Sequence, residues 1–371
     1  MMAQSTLQAV NVAMRGGGYY SAVTKGAKDV IDNTTPLVLD AIRSLPTSDA
    51  ATPFTLADMG CADGGTSLDM VRQAVAAVHE RWPQRPLTVV YTDQPRNDYN
   101  SLFRLIHGLT PMPTYLDEHE HLYVLASATS FYKQILPAGT LHLGFSANAM
   151  HWLSRKPCDL TDHICAVGAS GAELAAFAAQ GRRDWETILL HRAREVVPGG
   201  RLVVVNFCQD EAGRYNGNTG GVNRLDTFAA IWRRFAAEGV IQREEYVRMT
   251  LPQYYRSVEE YTEPLLDPSS PVYRAGLRVE QWETRIVPCP FIAAFRQHGD
   301  AARFARDLTP SLRSWTESTF LAALSPERSP EARQDIIERY YSTYEALVRE
   351  DPMGYQDDKV NVYMTIAKTG A

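Results

Sequence analysis

Short apolar runs alternate with amphipathic stretches through the first half of this chain. This alternation is typical of a parallel sheet whose strands are connected by covering helices, so we predict an α/β fold. The predicted strands are Phe54–Cys61, Leu87–Asp93, Tyr123–Ala126, Leu141–Ser146 and Arg201–Phe207. The predicted connecting helices are Ser67–Arg81, Tyr99–His107 and Trp185–Val197.

A Pro-Gly-Gly sequence, Pro198–Gly200, separates the last of these helices from the strand after it. Glycine can end a helix and turn the chain, so we predict the boundary between helix and strand there. A loop is predicted over residues 209–221, and helical patterns such as Arg224–Glu238 and Pro330–Arg349 dominate the rest of the chain. We predict that these later helices form a cap.

Two later segments, Leu277–Val287 and Lys359–Lys368, alternate apolar and polar residues with a period of two. The pattern predicts two further strands, the second of them at the edge of the sheet. The sheet then holds seven strands, mostly parallel, within a single unit of residues 1–371. Its core is predicted over residues 50–208, 277–287 and 359–369, and its helical cap over residues 209–275 and 300–355.

Charge and composition argue against several classes of partner. The 37 basic and 43 acidic residues give a net charge of −6 without a basic block, so nucleic acid is not an expected partner. Five scattered cysteines show no CxxC pair and no Cys/His ligand spacing, which predicts free thiols and no metal site. No apolar run approaches the ~20 residues that span a bilayer, and the N-terminus lacks the pattern of a secretory signal. We expect no membrane partner and a cytoplasmic location.

A turn of small residues lies between the first predicted strand and the first predicted helix. Residues 58–65 read Asp-Met-Gly-Cys-Ala-Asp-Gly-Gly. Glycines at such a turn let backbone amides approach a ligand, and the carboxylate of Asp58 can orient the turn or accept from an ammonium group. A generic strand–turn–helix unit, with glycine for turn geometry alone, is the alternative.

A second acidic residue, Asp93, ends the next predicted strand. An acid at this place can hold ribose hydroxyls with both oxygens, as in dinucleotide-binding folds. The turn after the first strand lacks the pattern Gly-x-Gly-x-x-Gly, however, which disfavours a pyrophosphate ligand and therefore a dehydrogenase. An adenosyl ligand without phosphates fits the sequence better.

Further motifs succeed one another along nearly the whole chain. They are residues 14–20 (MRGGGYY), 57–61 (ADMGC), 92–100 (TDQPRNDYN), 130–132 (SFY), 145–154 (FSANAMHWLS), 192–200 (RAREVVPGG) and, more weakly, 359–362 (KVNV). Together they resemble the SABATH family of carboxyl and N-methyltransferases. The resemblance implies a Rossmann-like class I methyltransferase fold, S-adenosylmethionine as cofactor and a homodimer.

The resemblance also implies cofactor-binding roles, position by position. Asp58 and Gly60 match residues that flank the methionyl part of the cofactor, and Asp93 matches its ribose ligand. Ser130 and Phe131 match the adenine contacts, with core packing as the alternative for Phe131. The full predicted cofactor set is Tyr19, Thr24, Asp58, Gly60, Asp63, Asp93, Gln94, Ser130, Phe131 and Ser146.

The predicted substrate site departs from the family pattern. Thr24 falls where relatives have a cofactor-binding serine, and three residues later Ala27 replaces their carboxylate-binding glutamine. The other half of this clamp, an indole N–H donor, is matched by Trp152, for which core packing is the alternative. The candidates to replace the glutamine are Lys25, Lys28 and His151, which a solvated helix face or a packed core would also explain. The predicted catalytic residues are Trp152 and His151.

The predicted acceptor pocket has lost aromatic walls. Asn148 stands where many relatives that act on aromatic acids have a tyrosine, Leu225 aligns with a pocket tryptophan, and Arg224 is its neighbour. Our hypothesis is a substrate with a second polar or anionic end, such as a dicarboxylic acid. The predicted substrate-binding residues are Lys28, Asn148, Trp152, Arg224 and Leu225.

The expected activity is the methylation of a small carboxylic acid at its carboxylate oxygen. A carboxylic acid with a pKa of about 4 is ionised at pH 7, so it is a nucleophile without a general base. Two alternatives stay open. One is N-methylation of a heterocycle, and the other, suggested by Ala27, is a catalytically silent relative that only binds the cofactor.

Overall fold

A computed structural model describes residues 14–46 and 52–370 of the chain. Most of the N-terminus, where no secretory signal is predicted, lies outside these ranges, as do the predicted core boundary at residue 50 and residue 371. The strands are β1 Phe54–Met59, β2 Leu87–Thr92, β3 Leu122–Ser127, β4 Leu141–Ala147, β5 Val196–Gln209, β6 Arg256–Ser257, β7 Leu277–Val287 and β8 Lys359–Lys368. The helices are α1 Tyr19–Val23, α2 Lys25–Asp32, α3 Thr35–Ser44, α4 Leu68–Arg81, α5 Tyr99–Ile106, α6 Gly171–Glu195, α7 Arg224–Ala237, α8 Arg243–Arg248, α9 Val258–Leu266, α10 Pro271–Arg274, α11 Pro290–His298, α12 Ala301–Ala323 and α13 Pro330–Glu350.

The strands form one mixed sheet in the order β3-β2-β1-β4-β5-β8-β7. Strands β1 to β5 run parallel, and β8 is antiparallel to both of its neighbours. The two-residue strand β6, which the sequence did not predict, pairs with the end of β5. The predicted α/β fold with a mostly parallel sheet of seven main strands is therefore confirmed.

The predicted edge position of Lys359–Lys368 is wrong. Strand β8 lies between β5 and β7, and every residue from Lys359 to Ala367 is buried. The edge strand is β7, whose central residues 280–284 are exposed. The alternation in β8 arises because its two faces differ in polarity although both are buried. Val360 and Val362 join an apolar core, whereas Asn361 on the other face contacts polar groups.

The boundary between helix and strand also differs from the prediction. Helix α6 begins at Gly171, well before the predicted Trp185, and ends at Glu195. The chain is already extended at Val196, so Pro198–Gly200 lies inside β5. Gly199 has a φ of 79°, and the pairing of β5 with β4 shifts register in this region. The glycines therefore form an irregularity of the strand rather than the end of the helix.

Helices cover both faces of the sheet. Successive residues of a strand point to opposite faces, and Leu56 packs with Val38 and Val71 of α3 and α4, whereas Ala57 packs in a core that contains Ile188 of α6. Tyr261 of α9 joins this second core, although its helix lies in the segment predicted as cap.

A third apolar core lies among the helices after β5. It joins α7, α11, α12 and α13 through Trp232, Ile292, Phe320 and Tyr340. Within the described ranges, no helix combines the length and the apolar character that crossing a bilayer requires.

Candidate functional site

A cavity opens at the carboxyl ends of β1 and β4. The chain passes from β1 to β2 on one side and returns later to β4 on the other side, which leaves a crevice between the two strand ends. The cavity, together with its opening to solvent, has a volume of about 1020 Å³ and continues beneath residues of α1, α2 and α12. Two groups of predicted residues line it, one around the glycine turn and one around Trp152.

The turn after β1 requires glycine at position 60. Gly60 has a φ of 88°, a conformation that L side chains rarely adopt, and its N–H donates to the carbonyl of Thr92 at 2.7 Å. A Cβ atom at this position would lie 2.4 Å from the Cβ of Ala149. The turn therefore brings bare backbone to the cavity wall.

Asp58 ends β1 as a buried carboxylate. It accepts a hydrogen bond from the Ser67 hydroxyl at 2.6 Å and lines a smaller pocket of about 310 Å³ that it shares with Gly60. No basic side chain among the described residues pairs with it. Burial raises the pKa of Asp58 to about 7; the hydrogen bond from Ser67 opposes this rise, and the nearby carboxylate of Asp93 adds to it. A cationic group in this pocket would stabilise the ionised form.

Asp93 lies just beyond β2 on the wall of the main cavity. Its two oxygens accept hydrogen bonds from the backbone N–H groups of Gln94 at 2.7 Å and Ala62 at 2.9 Å. Burial raises the pKa of Asp93, and these two hydrogen bonds oppose the rise. Each oxygen retains lone pairs for further donors.

The Ser-Phe-Tyr segment contributes an aromatic ring rather than a hydroxyl to the cavity. Phe131 lines the wall, and its carbonyl accepts from Arg192 at 2.9 Å. The Ser130 hydroxyl instead accepts from the N–H of Tyr132 at 3.4 Å. Arg192 also donates to the carbonyl of Lys133 at 2.8 Å, which fastens this segment to α6. Within α6, Arg192 forms a buried ion pair with Glu195, with 2.6 Å between Nε and Oε2.

The N-terminal motif places Tyr20 and Thr24 on the cavity wall, but not the predicted Tyr19. Tyr19 packs instead under the guanidinium of Arg15, 4.2 Å from its ring centre. The Thr24 hydroxyl donates to the carbonyl of Tyr20 at 2.7 Å.

Two further predicted cofactor residues bind protein groups outside the main cavity. The carboxylate of Asp63 accepts from the N–H of Ser21 at 3.1 Å and from its hydroxyl, and thereby ties α1 to the glycine turn. Ser146 donates to the carbonyl of Met59 at 2.7 Å, which joins β4 to β1.

Trp152 and His151 lie side by side at the other end of the cavity. The Trp152 ring packs edge-on against Trp315 of α12, with 6.4 Å between ring centres. No hydrogen-bond acceptor for its indole N–H is found in the described part of the chain, so the donor is free for a ligand. His151 contacts Asn206 at 3.3 Å, and burial lowers the pKa of His151 to about 3, so the ring is neutral at physiological pH.

The cations predicted near Ala27 do not reach the cavity, although Ala27 itself lines it. Lys28 forms ion pairs with Asp32 and Asp69, both at 2.8 Å, on the outer side of α2. Lys25 does not line the cavity either. Its ammonium lies over the ring of Phe291, 5.8 Å from the ring centre.

Arg224 and Leu225 lie behind the cavity wall rather than on it. Leu225 is fully buried in the core of the later helices. Arg224 is buried against Asp357 and donates to the carbonyl of Asn216 at 3.2 Å. Neither side chain lines the cavity, because the start of α7 packs both of them inward.

Asn148 does line the cavity, in a left-handed conformation with a φ of 51°. Its side-chain oxygen accepts from the amide of Asn361 at 2.7 Å.

Sequence reasoning missed several residues of the wall. They are Tyr20, Asn216, Gln253, Tyr255, Trp315 and Lys359. Lys359 was visible as the first residue of the motif at 359–362, but a lysine that opens a strand is ordinarily solvated. The remaining residues come from loops and helices whose approach to the sheet depends on tertiary packing.

Comparison with known proteins identifies the family. A profile described as SAM-dependent carboxyl methyltransferase matches residues 10–368. The chain belongs to this family, whose cofactor is S-adenosylmethionine, and this match confirms the SABATH resemblance.

Similar plant proteins carry names of carboxyl methyltransferases. Gibberellic acid methyltransferase 2 of Arabidopsis thaliana is 27% identical over 61% of this chain and 63% of its own length. Loganic acid O-methyltransferase of Catharanthus roseus is 27% identical over 67% and 70%, and salicylate carboxymethyltransferase of Clarkia breweri is 27% identical over 69% and 73%. The match thus spans less than two thirds of the first of these relatives.

A solved structure supports the same fold. A loganic acid methyltransferase with SAH superposes with a TM-score of 0.76 at 22% identity, over 96% of this chain and 99% of that one. The arrangement of strands and later helices is therefore that of a methyltransferase.

Proposed function

We propose that this protein uses S-adenosylmethionine to methylate the carboxylate of a small organic acid. The observation that carries the proposal is one cavity whose wall includes Gly60 and Asp93 of the predicted cofactor site together with Trp152 of the predicted carboxylate clamp. Reactants held in such proximity and alignment can gain about 7–11 kcal/mol over free reactants in solution.

The residues around the glycine turn fit the cofactor. The unpaired carboxylate of Asp58 suits an ammonium group, Asp93 has lone pairs for two ribose hydroxyls, and Phe131 offers a ring face for a base. When bound, S-adenosylmethionine supplies a methyl group activated by its sulfonium.

The protein's remaining task is to bind and shield the acceptor. An ionised carboxylate needs no general base, and the neutral His151 fits this chemistry, since it neither competes as a cation nor has to remove a proton. The indole N–H of Trp152 can donate to one carboxylate oxygen. Trp315 and Phe207 add aromatic surface that excludes water.

The acceptor end of the cavity is more polar than an aromatic hydrocarbon would require. Its polar members are Asn148, His151, Asn216, Gln253 and Lys359. A buried polar group without a partner costs about 1–3 kcal/mol. These side chains therefore favour an acid that carries polar groups of its own.

The test is a product screen. Purified protein is incubated with S-adenosylmethionine and aromatic, fatty, dicarboxylic and heterocyclic acids together with xanthines, and products are identified by mass spectrometry. A methyl ester supports the proposal, whereas methylation of xanthines alone identifies an N-methyltransferase. Bound cofactor without any product supports the silent relative that Ala27 suggests.

Two matched variants accompany the screen. Asp93→Asn is expected to weaken cofactor binding and lower ester formation, because it alters the carboxylate on the cavity wall. Asp307→Asn changes an exposed residue of α12 and should leave both unchanged.

The homodimer that the family resemblance implies and the cytoplasmic location expected from the sequence remain part of the proposal. Light scattering after size exclusion tests the first, and twice the mass of the chain is the expected result.

A further inference from the structure

A lysine from the sheet lines the acceptor end of the cavity. Lys359 begins β8 and is only 7% exposed, and its ammonium forms an ion pair with Asp357. Helix α2 packs directly on its side chain, because a Cβ atom at Gly26 would lie 3.1 Å from the Cε of Lys359. The ammonium is therefore held at one place on the wall.

Two cations share one carboxylate beside Lys359, and a second carboxylate, Asp358, lies nearby. Asp357 is also the partner of the buried Arg224, so one carboxylate faces two cations. Burial and the charge of Arg224 lower the pKa of Lys359 to about 7, while Asp358 and Cys289 act in the opposite direction. The carboxylate of Asp358 also accepts from the backbone N–H of Cys289 at 2.8 Å. An anion on the cavity side of Lys359 would stabilise the charged form of its ammonium.

Unpaired polar atoms lie on the same face of β8. Asn361 lies two residues beyond Lys359, and its buried side-chain oxygen has no hydrogen-bond partner, nor has the amide nitrogen of Asn148. Buried polar atoms of this kind are rare in a folded protein. Of the two residues, Asn148 lines the cavity, where its amide favours a polar ligand over a hydrocarbon, whereas Asn361 is fully buried behind it.

The order of the strands places Lys359 far from the cofactor end. Strand β8 is three positions from β1 and two from β4. Neighbouring strands are about 4.8 Å apart, so the end of β8 is on the order of 14 Å from the glycine turn after β1 and on the order of 10 Å from the end of β4. One small molecule could therefore place one carboxylate at the indole N–H of Trp152 and an anionic group at its other end beside the ammonium of Lys359.

We propose that the ammonium of Lys359 binds a second carboxylate of the acceptor, which makes small dicarboxylic acids the preferred substrates and their monomethyl esters the products. The inference rests on the proposed function and names its substrate class. Arg224 and Asp357 act behind the wall as positioning residues for Lys359. The monoester is released because methylation of one carboxylate leaves a neutral end that fits poorly at either site.

The test compares acids that differ by one carboxylate. Hexanedioate is compared with hexanoate, and benzene-1,4-dicarboxylate with benzoate, in the wild type and in Lys359→Met. This variant keeps the length of the side chain and leaves Arg224 and Asp357 as a matched pair. Lys25→Met is the control, since that lysine is exposed and does not line the cavity.

The expected result is a preference for diacids in the wild type. Lys359→Met should lower the ratio of kcat/KM between diacid and monoacid by roughly tenfold or more, the effect of one lost charged hydrogen bond. Lys25→Met should leave the ratio unchanged, and Lys359→Arg should retain most of it. An unchanged ratio in a Lys359→Met protein that still binds S-adenosylhomocysteine overturns the inference, as does a wild-type preference for monoacids.

A failure of the proposed function would be seen separately, as the absence of any ester from a wild-type protein that binds S-adenosylhomocysteine. Calorimetric titration of the same diacids into that complex then decides the inference. Binding that is at least tenfold weaker in Lys359→Met supports it, and no binding to the wild type overturns it.

Discussion

Trp152→Phe isolates one hydrogen bond of the proposed acceptor site. Phenylalanine retains an aromatic ring against His151 and Trp315, whose ring centres lie 5.7 Å and 6.4 Å from that of Trp152. It removes the indole N–H, which has no acceptor among the described protein groups. The backbone of Trp152, bridged to Gln253, is unaffected by the substitution.

A hydrogen bond to a charged group contributes about 1.5–3 kcal/mol. Since 1.36 kcal/mol corresponds to a factor of ten, kcat/KM for the preferred acid should fall by about 10- to 150-fold. The loss is expected chiefly in KM, because the negative charge of the carboxylate decreases as the ester forms and the hydrogen bond weakens with it.

Two measurements separate the effects on the two sites. Initial rates of ester formation report on the acceptor site, and calorimetric titration of S-adenosylhomocysteine reports on the cofactor site. The cofactor affinity should change less than about twofold, because Trp152 lies apart from the glycine turn. Trp282→Phe is the matched control, since Trp282 is 45% exposed on the edge strand β7 and should leave kinetics unchanged. Unchanged kinetics in Trp152→Phe would refute the assigned role.

Three further measurements probe other parts of the molecule. The KM for a diacid should rise as pH increases through about 7, where Lys359 loses its proton and its attraction for a carboxylate, and Lys359→Arg should flatten this profile. Gly60→Ala should lower the free energy of unfolding by about 2–5 kcal/mol and weaken cofactor binding, through a strained φ and a clash with Ala149, as denaturant titration and calorimetry would show. Arg192→Met should destabilise the protein by about 3–5 kcal/mol in denaturant titration, because the buried Glu195 loses its partner, and adding Glu195→Gln should restore part of the loss.

Local patterns were sufficient to predict the main strands, though not the position of β8 among them, and to locate the turn around Gly60. The strand ends at Asp58 and Asp93 and the turn at Gly60 are each determined by residues close in sequence. The structure places Gly60 and Asp93 on the main cavity and Asp58 on the smaller pocket that shares Gly60, and their role in cofactor binding stays a prediction.

The acceptor end depends on contacts that no local pattern contains. Arg224 was predicted to reach a substrate, but Asp357, distant in sequence, binds it behind the wall. Lys359 was not predicted to line the site, because a lysine at the start of a strand is ordinarily solvated. In the structure α2 covers it. The same limit explains the misplaced edge strand, since period-two alternation reports the polarity of two faces and not whether both are buried.

The interior position of β8 links the completion of the sheet to the choice of substrate. Residues 201–207 pair with residues 361–367, so the contact joins segments that are synthesised far apart in time. Until β8 is made, β5 has an open edge and β7 has no neighbour in the sheet, and such edges attract other chains. Pairing between distant segments is also slow to form. Lys359 therefore reaches the cavity only when β8 has paired with β5. A nascent chain that already contains the glycine turn still lacks the group proposed to distinguish diacids from monoacids.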